Sequence, residues 1–182
     1  MRNFQIGYLE NDSEITDIKD IDSNNRIQVM SAINDFAGKY AFADVEYALE
    51  ISPTGKAYTI KGIRGNVNSE ILGKDILLGS ISIHNHPVTQ GEIMGDSFSK
   101  QDLGFSVEYK AGRQYLVSGE RRNAFEYKGN NTTIEIYNMY DEAYNKLLEK
   151  SFDKQIEIIW EKEQTLKILS EILKGFRFYE NF

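Results

Sequence analysis

Residues 76–83 form the apolar run that most constrains the fold of this chain. A run of this length with few polar side chains is typical of a strand that is buried on both faces, at the centre of a sheet. It ends at His84-Asn85-His86-Pro87, and proline is confined to strand ends or edges because it cannot donate to the ladder. We therefore predict a central strand that stops where the histidines begin.

Alternating patterns elsewhere predict further strands. Residues 45–51 alternate between apolar and polar, residues 52–55 read Ser-Pro-Thr-Gly, and residues 56–63 run back, which together is the pattern of a β-hairpin. Two more strands are expected at 114–118 and 124–127. With the helices described next, these strands put the chain in the α/β (α+β) class.

Two helices are predicted before and after the central strand. Apolar residues recur at helical spacing over 25–39, where Ser23 or Asn24 would be the N-cap. A short helix is expected to begin near Ser99. The first 24 residues are polar and acidic, and part of them is expected to lack regular structure.

The C-terminal part has a different character. Thr132 and Glu135 have the spacing of a capping box, and apolar residues then recur at helical spacing over 134–174. One unbroken helix of that length would be about 60 Å long, so we expect a bend near 151–154 or an extension onto a partner. The alternative is that both halves fold back on the sheet.

Composition and charge exclude several classes of function. The 182 residues contain no cysteine, which rules out disulfides, thiolate zinc sites and a cysteine nucleophile. The net charge of −7 argues against general nucleic-acid binding, because phosphate contacts need a basic face. The sequence contains no run of about 18 apolar residues, so no membrane span is predicted. No signal peptide is recognisable at the N-terminus, and we therefore expect a cytoplasmic protein.

The chain has two histidines, His84 and His86, and they stand one residue apart at the end of the apolar run. Residues i and i+2 of a strand point to the same side, so the two imidazoles can converge on one metal ion. Because cysteine is absent, a further protein ligand would have to be a carboxylate. The alternative is an ordinary pair of surface or core histidines.

A second motif follows, Ser99-Lys100-Gln101-Asp102. Taken alone, it is a helix-capping motif in which Ser99 accepts a hydrogen bond from the helix and Asp102 favours the helix dipole. Directly after His-x-His-Pro, and separated from it by the loop 88–98, the combination is much rarer.

The two motifs together resemble the signature of the JAMM (Mov34/MPN) metalloenzymes, over roughly residues 43–128. The form His84-Asn85-His86-Pro87 is similar to prokaryotic members, including RadC-type proteins and those of phages and mobile elements. The resemblance implies a curved mixed sheet flanked by helices. It also implies zinc bound by His84, His86 and Asp102, with a water activated by the metal and a serine, Ser99, that binds the oxyanion.

The resemblance further implies a glutamate on an upstream strand as the general base. Glu46 and Glu50 lie on the same face of the strand predicted over 45–51, so either can take this role. Glu46 fits better, since it opens the strand as the family's glutamate does. The alternative is that both glutamates lie on a solvated strand face.

The resemblance divides the chain into an N-terminal segment with one helix (1–42), a JAMM-like metal-binding domain (43–132) and a C-terminal helical extension (133–182). It predicts a zinc-dependent hydrolase that cleaves a peptide or isopeptide amide bond in a protein or peptide substrate. One alternative is a non-catalytic JAMM-like structural or interaction module of a phage or mobile-element assembly. Another is a RadC-like DNA-repair-associated protein. The helix 134–174 would serve a homo-oligomer or a partner protein.

Overall fold

A mixed seven-stranded sheet forms the frame of the protein, in the strand order β1-β3-β2-β4-β5-β6-β7. The computed structural model describes residues 12–88, 98–154, 175–180 and 182. The strands are β1 (Glu14–Asp20), β2 (Tyr47–Ile51), β3 (Lys56–Lys61), β4 (Ile81–Asn85), β5 (Arg113–Ser118), β6 (Arg121–Tyr127) and β7 (Phe176–Glu180). The helices are α1 (Arg26–Tyr40), α2 (Lys74–Leu77), α3 (Lys100–Glu108) and α4 (Thr133–Lys154). A 3₁₀ turn, Ser69–Leu72, precedes α2.

The central pair β4–β5 is parallel, whereas the other described strand pairs are antiparallel. Parallel strands need a crossover connection between them, and here the crossover contains α3. The N-terminus of α3 therefore comes back toward the C-terminal end of β4, where the two histidines lie. This topology brings the two sequence motifs together.

Each face of the sheet carries its own apolar core. On one face, α1 buries Ile33 and Phe36 against Leu49, Ile83 and other inward residues of the central strands. On the opposite face, α3 and α4 pack over a second cluster around Phe98, Leu103, Leu116, Phe125 and Ile136. Burying a large apolar side chain contributes about 1.5–3 kcal/mol, so both helical layers are integral to the stability of the fold.

The coarse class predicted from the sequence, α/β (α+β), agrees with this sheet and with the four helices found among the described residues. The hairpin predicted over 45–63 is present as β2 and β3, joined through a Gly55 with a φ of 85°. The strands predicted at 114–118 and 124–127 are β5 and β6, each starting earlier than expected.

The central strand differs from the prediction over 76–83 at both ends, because it begins at Ile81 and continues through His84 to Asn85. The first part of that run, up to Leu77, is the short helix α2, and Gly79 then adopts a φ of 77° in the turn that leads into β4. Only β4 is extended, although it does lie at the centre of the sheet between β2 and β5. Periodicity cannot distinguish a buried strand from a buried helical turn in so short an apolar run.

The helix predicted over 25–39 is α1, but its N-cap was misassigned. Asn25 is the cap, and its side-chain oxygen accepts hydrogen bonds from the backbone N–H groups of Ile27 and Gln28. Ser23 instead donates to the carbonyl of Pro53, and the backbone N–H of Asn24 donates to Asp22.

Both terminal segments contribute a strand that the sequence patterns did not reveal. The polar segment before α1 contains β1, which pairs with β3, and the C-terminal segment contains β7, which pairs with β6. One sheet thus takes strands from all three of the segments predicted as separate regions, and that division stays a prediction.

The C-terminal helix predicted over 134–174 is helical through Lys154, and its capping box is formed between Thr132 and Glu135. Residues 155–174 lie outside the described part of the chain, as does most of the predicted loop 88–98. Ile136 and Ala143 of α4 are fully buried, so the first half of the helix packs on the domain as the alternative interpretation expected. Among the described helices, none is long and apolar enough to cross a membrane.

Candidate metal centre

His84 and His86 project to the same side at the end of β4. Their Nε2 atoms are 3.1 Å apart, and the backbone N–H of His86 donates to Val117 O, which extends the pairing with β5 past the end of the strand. His84 is buried, and Phe98 packs edge-on to its ring. The two imidazoles are therefore held by backbone pairing and by packing.

Asp102 completes this group from the first turn of α3. The backbone N–H of Ser99 donates to Asp102 Oδ2 at 2.6 Å, and the backbone N–H of Asp102 donates to Ser99 Oγ at 3.2 Å, which is a reciprocal capping box. The other carboxylate oxygen, Oδ1, lies 3.4 Å from His84 Nε2. Asp102 thus belongs both to the capping motif and to the candidate ligand group, since the cap holds one carboxylate oxygen while the other lies near His84.

The distances suit one tetrahedral ion. Ligands at about 2.0–2.1 Å around a tetrahedral zinc lie about 3.4 Å from one another. The ligand atoms of His84, His86 and Asp102 all lie within 4.8 Å of one another, and two of these separations are 3.1 and 3.4 Å. Two nitrogens and one oxygen are the kinds of donor found in catalytic zinc sites, which have three protein ligands. The separation of 3.1 Å between the two histidines also suits a shared N–H···N hydrogen bond.

The protonation state of His84 suits a ligand. Burial lowers the pKa of His84 to about 4, against a raising effect of Asp102 and a further lowering by His86. The ring is therefore neutral at physiological pH, and a neutral imidazole is the form that binds metals.

Glu46 lies beside the three-residue group, immediately before β2. Ala48 pairs with His84 across β2 and β4, so Glu46, two residues earlier on an antiparallel strand, is level with His86. The carboxyl is mostly buried, and burial, followed by repulsion from Asp102, raises its pKa to about 8 against a hydrogen bond from the backbone of Val67.

The buried amide of Asn85 fixes the backbone on both sides of Glu46. Asn85 Oδ1 accepts the backbone N–H of Tyr47 at 2.7 Å, and Asn85 Nδ2 donates to the carbonyl of Val45 at 3.1 Å. Because Asn85 stands between the two histidines in the chain, one short segment positions both the imidazoles and the neighbouring glutamate.

Glu50, the other glutamate considered from the sequence, lies away from the histidines. It pairs with Ser82, which is two residues before His84 on β4. Its carboxylate accepts hydrogen bonds from the hydroxyls of Ser69, Ser80 and Ser82. It is 1% exposed. The alternative in which Glu46 and Glu50 lie on a solvated strand face is therefore wrong, because residues of α2, α3 and the 3₁₀ turn pack on that face.

Ser99 lies at the edge of the same group. Its Oγ accepts the Asp102 N–H, so its hydroxyl hydrogen is not used by the cap and can be donated to another acceptor. The five residues singled out from the sequence, Glu46, His84, His86, Ser99 and Asp102, all line one cleft of about 750 Å³.

Sequence reasoning missed several other residues of this cleft. Gln114 on β5 and Tyr137 on α4 line it, and so does the turn 63–68. The alternation Ser80, Ser82, His84 carried a signal, because polar residues at every second position of an apolar strand mark a polar inner face. The position of Tyr137 depends on how α4 packs, which has no local sequence signal.

Comparisons with protein-family models, with curated proteins and with solved structures find no match to this chain. The interpretation of the cleft therefore depends on its own geometry and chemistry.

Proposed function

We propose that this protein is a zinc-dependent hydrolase of the JAMM type that cleaves a peptide or isopeptide amide bond. The observation that carries the proposal is the convergence of ligand atoms from His84, His86 and Asp102 within 4.8 Å, in a cleft that also contains Glu46 and Ser99. These three residues would hold the zinc. When bound, zinc supplies a Lewis acid that polarises a carbonyl and lowers the pKa of water toward neutrality.

Glu46 is the proposed general base. Its carboxylate would accept a proton from the attacking water and pass it to the leaving amine, which needs a group whose pKa is near the working pH. The pKa of about 8, raised by burial and by repulsion from Asp102, is in that range, and a bound metal cation would favour the ionised form that can accept a proton.

Ser99 is the proposed donor to the substrate oxygen. Attack on an amide carbonyl places negative charge on that oxygen, and a donor held in place beforehand stabilises it without reorganisation. Ser99 is held by the capping box, which leaves its hydroxyl hydrogen available.

The proposal is tested first by metal content. The full chain, purified without added metal, is expected to contain one zinc per chain by elemental analysis. His84→Ala, His86→Ala and Asp102→Asn should each abolish stoichiometric zinc while circular dichroism shows a retained fold, because the two apolar cores do not include the metal ligands. Asp141→Asn is the matched control, since Asp141 is an exposed carboxylate on the adjacent helix that pairs with Lys100. Zinc that persists in all three ligand variants would remove this site.

Hydrolysis is tested second, with a mixture of unmodified peptides and an isopeptide-linked pair followed by mass spectrometry. New termini that appear with the wild type and not with His84→Ala support the enzyme. A chain that binds zinc and cleaves nothing in these assays would favour the non-catalytic interaction module.

A further inference from the structure

The side chain of Asn85 stands where the backbone pairing of β2 with β4 stops. The register of the two strands ends at Ala48 and His84, which leaves Tyr47 and Asn85 as the next opposed residues. At this step the backbone N–H of Tyr47 donates to the side-chain Oδ1 of Asn85, at 2.7 Å. Asn85 is 0% exposed, so its amide belongs to the interior between the two segments.

Pro87 explains why a side chain is needed there. If the register continued by two more residues, Val45 would lie opposite Pro87, and proline has no N–H to donate to the Val45 carbonyl. Asn85 Nδ2 supplies a donor instead, at 3.1 Å from that carbonyl. One side-chain amide therefore satisfies a donor and an acceptor that the interrupted ladder leaves on the neighbouring segment.

Glu46 lies between the two residues that this amide holds. Its own N–H donates to Ile63 O at 3.0 Å, and its carbonyl accepts the N–H of Gly62 at 2.8 Å, so both of its backbone groups are used on the side of β3. Consecutive residues of an extended chain direct these groups to opposite sides. The link from Glu46 to the histidine segment is therefore made through its two chain neighbours and the amide of Asn85.

The proposed reaction makes strict demands on the position of Glu46. A general base has to lie within hydrogen-bond reach of the proton that it takes, directly or through one water. A misplacement of about 1 Å can cost an enzyme about a hundredfold in rate. Asn85 controls this position from the interior of the sheet, because its amide is turned to the neighbouring segment.

We propose that Asn85 is a positioning residue, which holds Glu46 at its place beside the histidines where Pro87 ends the backbone ladder. The proposal rests on the hydrolase function above for its effect on catalysis, whereas the tie itself needs neither zinc nor substrate. In His84-Asn85-His86-Pro87, the two residues that are not proposed ligands thus act together. The proline stops the pairing, and the asparagine replaces it.

The kinetic test uses Asn85→Ala in the full chain. Zinc should stay at one per chain, whereas kcat should fall about a hundredfold with little change in KM, because the amide acts on the base and does not touch the substrate. In the Glu46→Gln background the same substitution should lower the remaining rate by less than about threefold, since residues that act as a unit have non-additive effects.

A second substitution tests the role of the proline. Pro87→Ala provides an N–H opposite the Val45 carbonyl, so the backbone ladder can continue without the asparagine. Asn85→Ala combined with Pro87→Ala should therefore recover about tenfold of the lost kcat, measured against Pro87→Ala alone. A residue with a merely structural role would make the double variant worse than either single one.

Amide hydrogen exchange measured by NMR tests the tie without zinc or substrate. Asn85→Ala should lower the protection of the Tyr47 N–H about tenfold, as for the loss of one hydrogen bond, and Pro87→Ala in the same chain should restore it. The N–H of Leu49, deeper in the paired part of β2, should keep its protection.

Two further variants keep the test decisive. Asn85→Asp retains the acceptor for Tyr47 and loses the donor to Val45, so it replaces Asn85→Ala if that variant does not fold, with a loss in kcat of about tenfold. Asn25→Ala is the matched control for lost stability, because Asn25 is also a hydrogen-bonded amide but caps α1. It should keep kcat and the protection of Tyr47.

The outcomes separate this inference from the proposed function. Unchanged protection of the Tyr47 N–H in Asn85→Ala overturns the tie, whether or not the protein hydrolyses anything. Loss of zinc together with activity also overturns the inference, since the amide would then position the ligands and not Glu46, and so does an equal loss of rate in the Glu46→Gln background. If the wild type cleaves nothing, the hydrolase fails, and loss and rescue of Tyr47 protection still support the tie.

Discussion

Asn85 shows how single side chains set the geometry of the cleft. Consecutive residues of a strand alternate sides, so the histidines on either side of Asn85 face the cleft while the amide turns to the adjacent strand. There it satisfies two backbone groups that flank Glu46. Loss of this amide would leave a buried N–H and a carbonyl unpaired, at a cost of about 1–3 kcal/mol each.

The first residue-scale prediction concerns Glu46. Glu46→Gln removes the proton acceptor but keeps the size of the side chain, so zinc should stay at one per chain while hydrolysis falls about a hundredfold or more. Peptide products quantified by mass spectrometry measure the loss. Glu50→Gln is the matched control, and it should keep hydrolysis because Glu50 is bonded to three serines away from the histidines. An inactive Glu50→Gln beside an active Glu46→Gln would reverse the assignment.

The second concerns the dependence of stability on pH. Burial raises the pKa of Glu50 from about 4.5 to about 7, against the lowering effect of its serine hydrogen bonds. The folded state therefore binds more protons than the unfolded state between these values. Protonation of Glu50 therefore adds to the free energy of unfolding fully below about pH 4.5, and this contribution is lost as pH rises through about 7. Its size is at most roughly 3 kcal/mol.

Urea unfolding of the chelator-treated protein between pH 5 and 8 measures this slope. Glu46, whose pKa is raised in the same direction, contributes a slope of the same sign. Glu50→Gln should remove the contribution of Glu50 to the change of the free energy of unfolding with pH. Glu14→Gln, on the exposed strand β1, should leave this pH dependence unchanged. A wild-type slope that survives Glu50→Gln unchanged would contradict the burial of this carboxyl.

At the scale of elements, the contact between α3 and α4 fixes where Asp102 lies. Gly104 provides the close approach, because a Cβ at this position would lie 2.5 Å from Cε1 of Tyr137. Leu103 and Ile136 are fully buried in the same layer. The proposed ligand helix is thus held by a neighbouring helix as well as by the sheet.

Gly104→Ala should therefore destabilise the protein by about 1–3 kcal/mol, as overpacking does, and should lower its affinity for zinc. Gly38→Ala is the matched control, since Gly38 is also inside a helix but has no described atom within 4 Å of an added Cβ. It should stabilise by about 0.5–1 kcal/mol through its helix propensity. Equal midpoints of urea unfolding for the two variants would show that the helices are not tightly apposed.

Local patterns predicted the elements in which polar and apolar residues alternate or in which a cap is recognisable. The hairpin of β2 and β3 and the capped start of α3 follow from alternation and from cap chemistry. β1 could not be found this way, because it is exposed along its whole length and has no buried face to produce an alternating pattern. The start of β4 was placed too early, because apolar residues continue on both sides of Gly79, where the chain turns.

The cleft was predictable only in part, for a related reason. The histidine pair and the capping motif are each recognisable from a short stretch of sequence. Their resemblance to a known signature was the reason to predict that both belong to one metal site. The proximity of Asp102 to His84 depends on the crossover between two parallel strands, which no short window of sequence encodes. The serines that bond to Glu50 come from two separate segments, Ser69 from the 3₁₀ turn and Ser80 and Ser82 from around the start of β4.

At the scale of the whole molecule, the C-terminal segment belongs to the same core as the cleft. Phe176 of β7 and Ile136 of α4 are buried against Phe98 and Phe125, and Phe98 directly precedes Ser99. Ile134 and Tyr144 of α4 remain exposed and are available for the partner binding or self-association predicted for this helix.

Truncation after Asn130 should therefore yield an aggregated protein that has lost zinc, because it uncovers one apolar core and removes the support of α3. Size-exclusion chromatography with light scattering and elemental analysis measure both effects. Ile136→Ala should cost about 2–5 kcal/mol, whereas Ile134→Ala, 71% exposed on the same helix, should change stability little. A soluble truncated monomer that keeps its zinc would instead support an accessory helix used for association.

The parallel pairing of β4 with β5 also sets an order in time. His84 and His86 stand on one side of the crossover and Asp102 lies within it, so the three come together only after a long segment of chain has closed. Closures of this kind are slow, since the entropy of the loop is lost before distant contacts form. Newly synthesised chains would thus complete their local hairpins before they can capture a metal, and the rate of metal uptake would report the closure of this crossover.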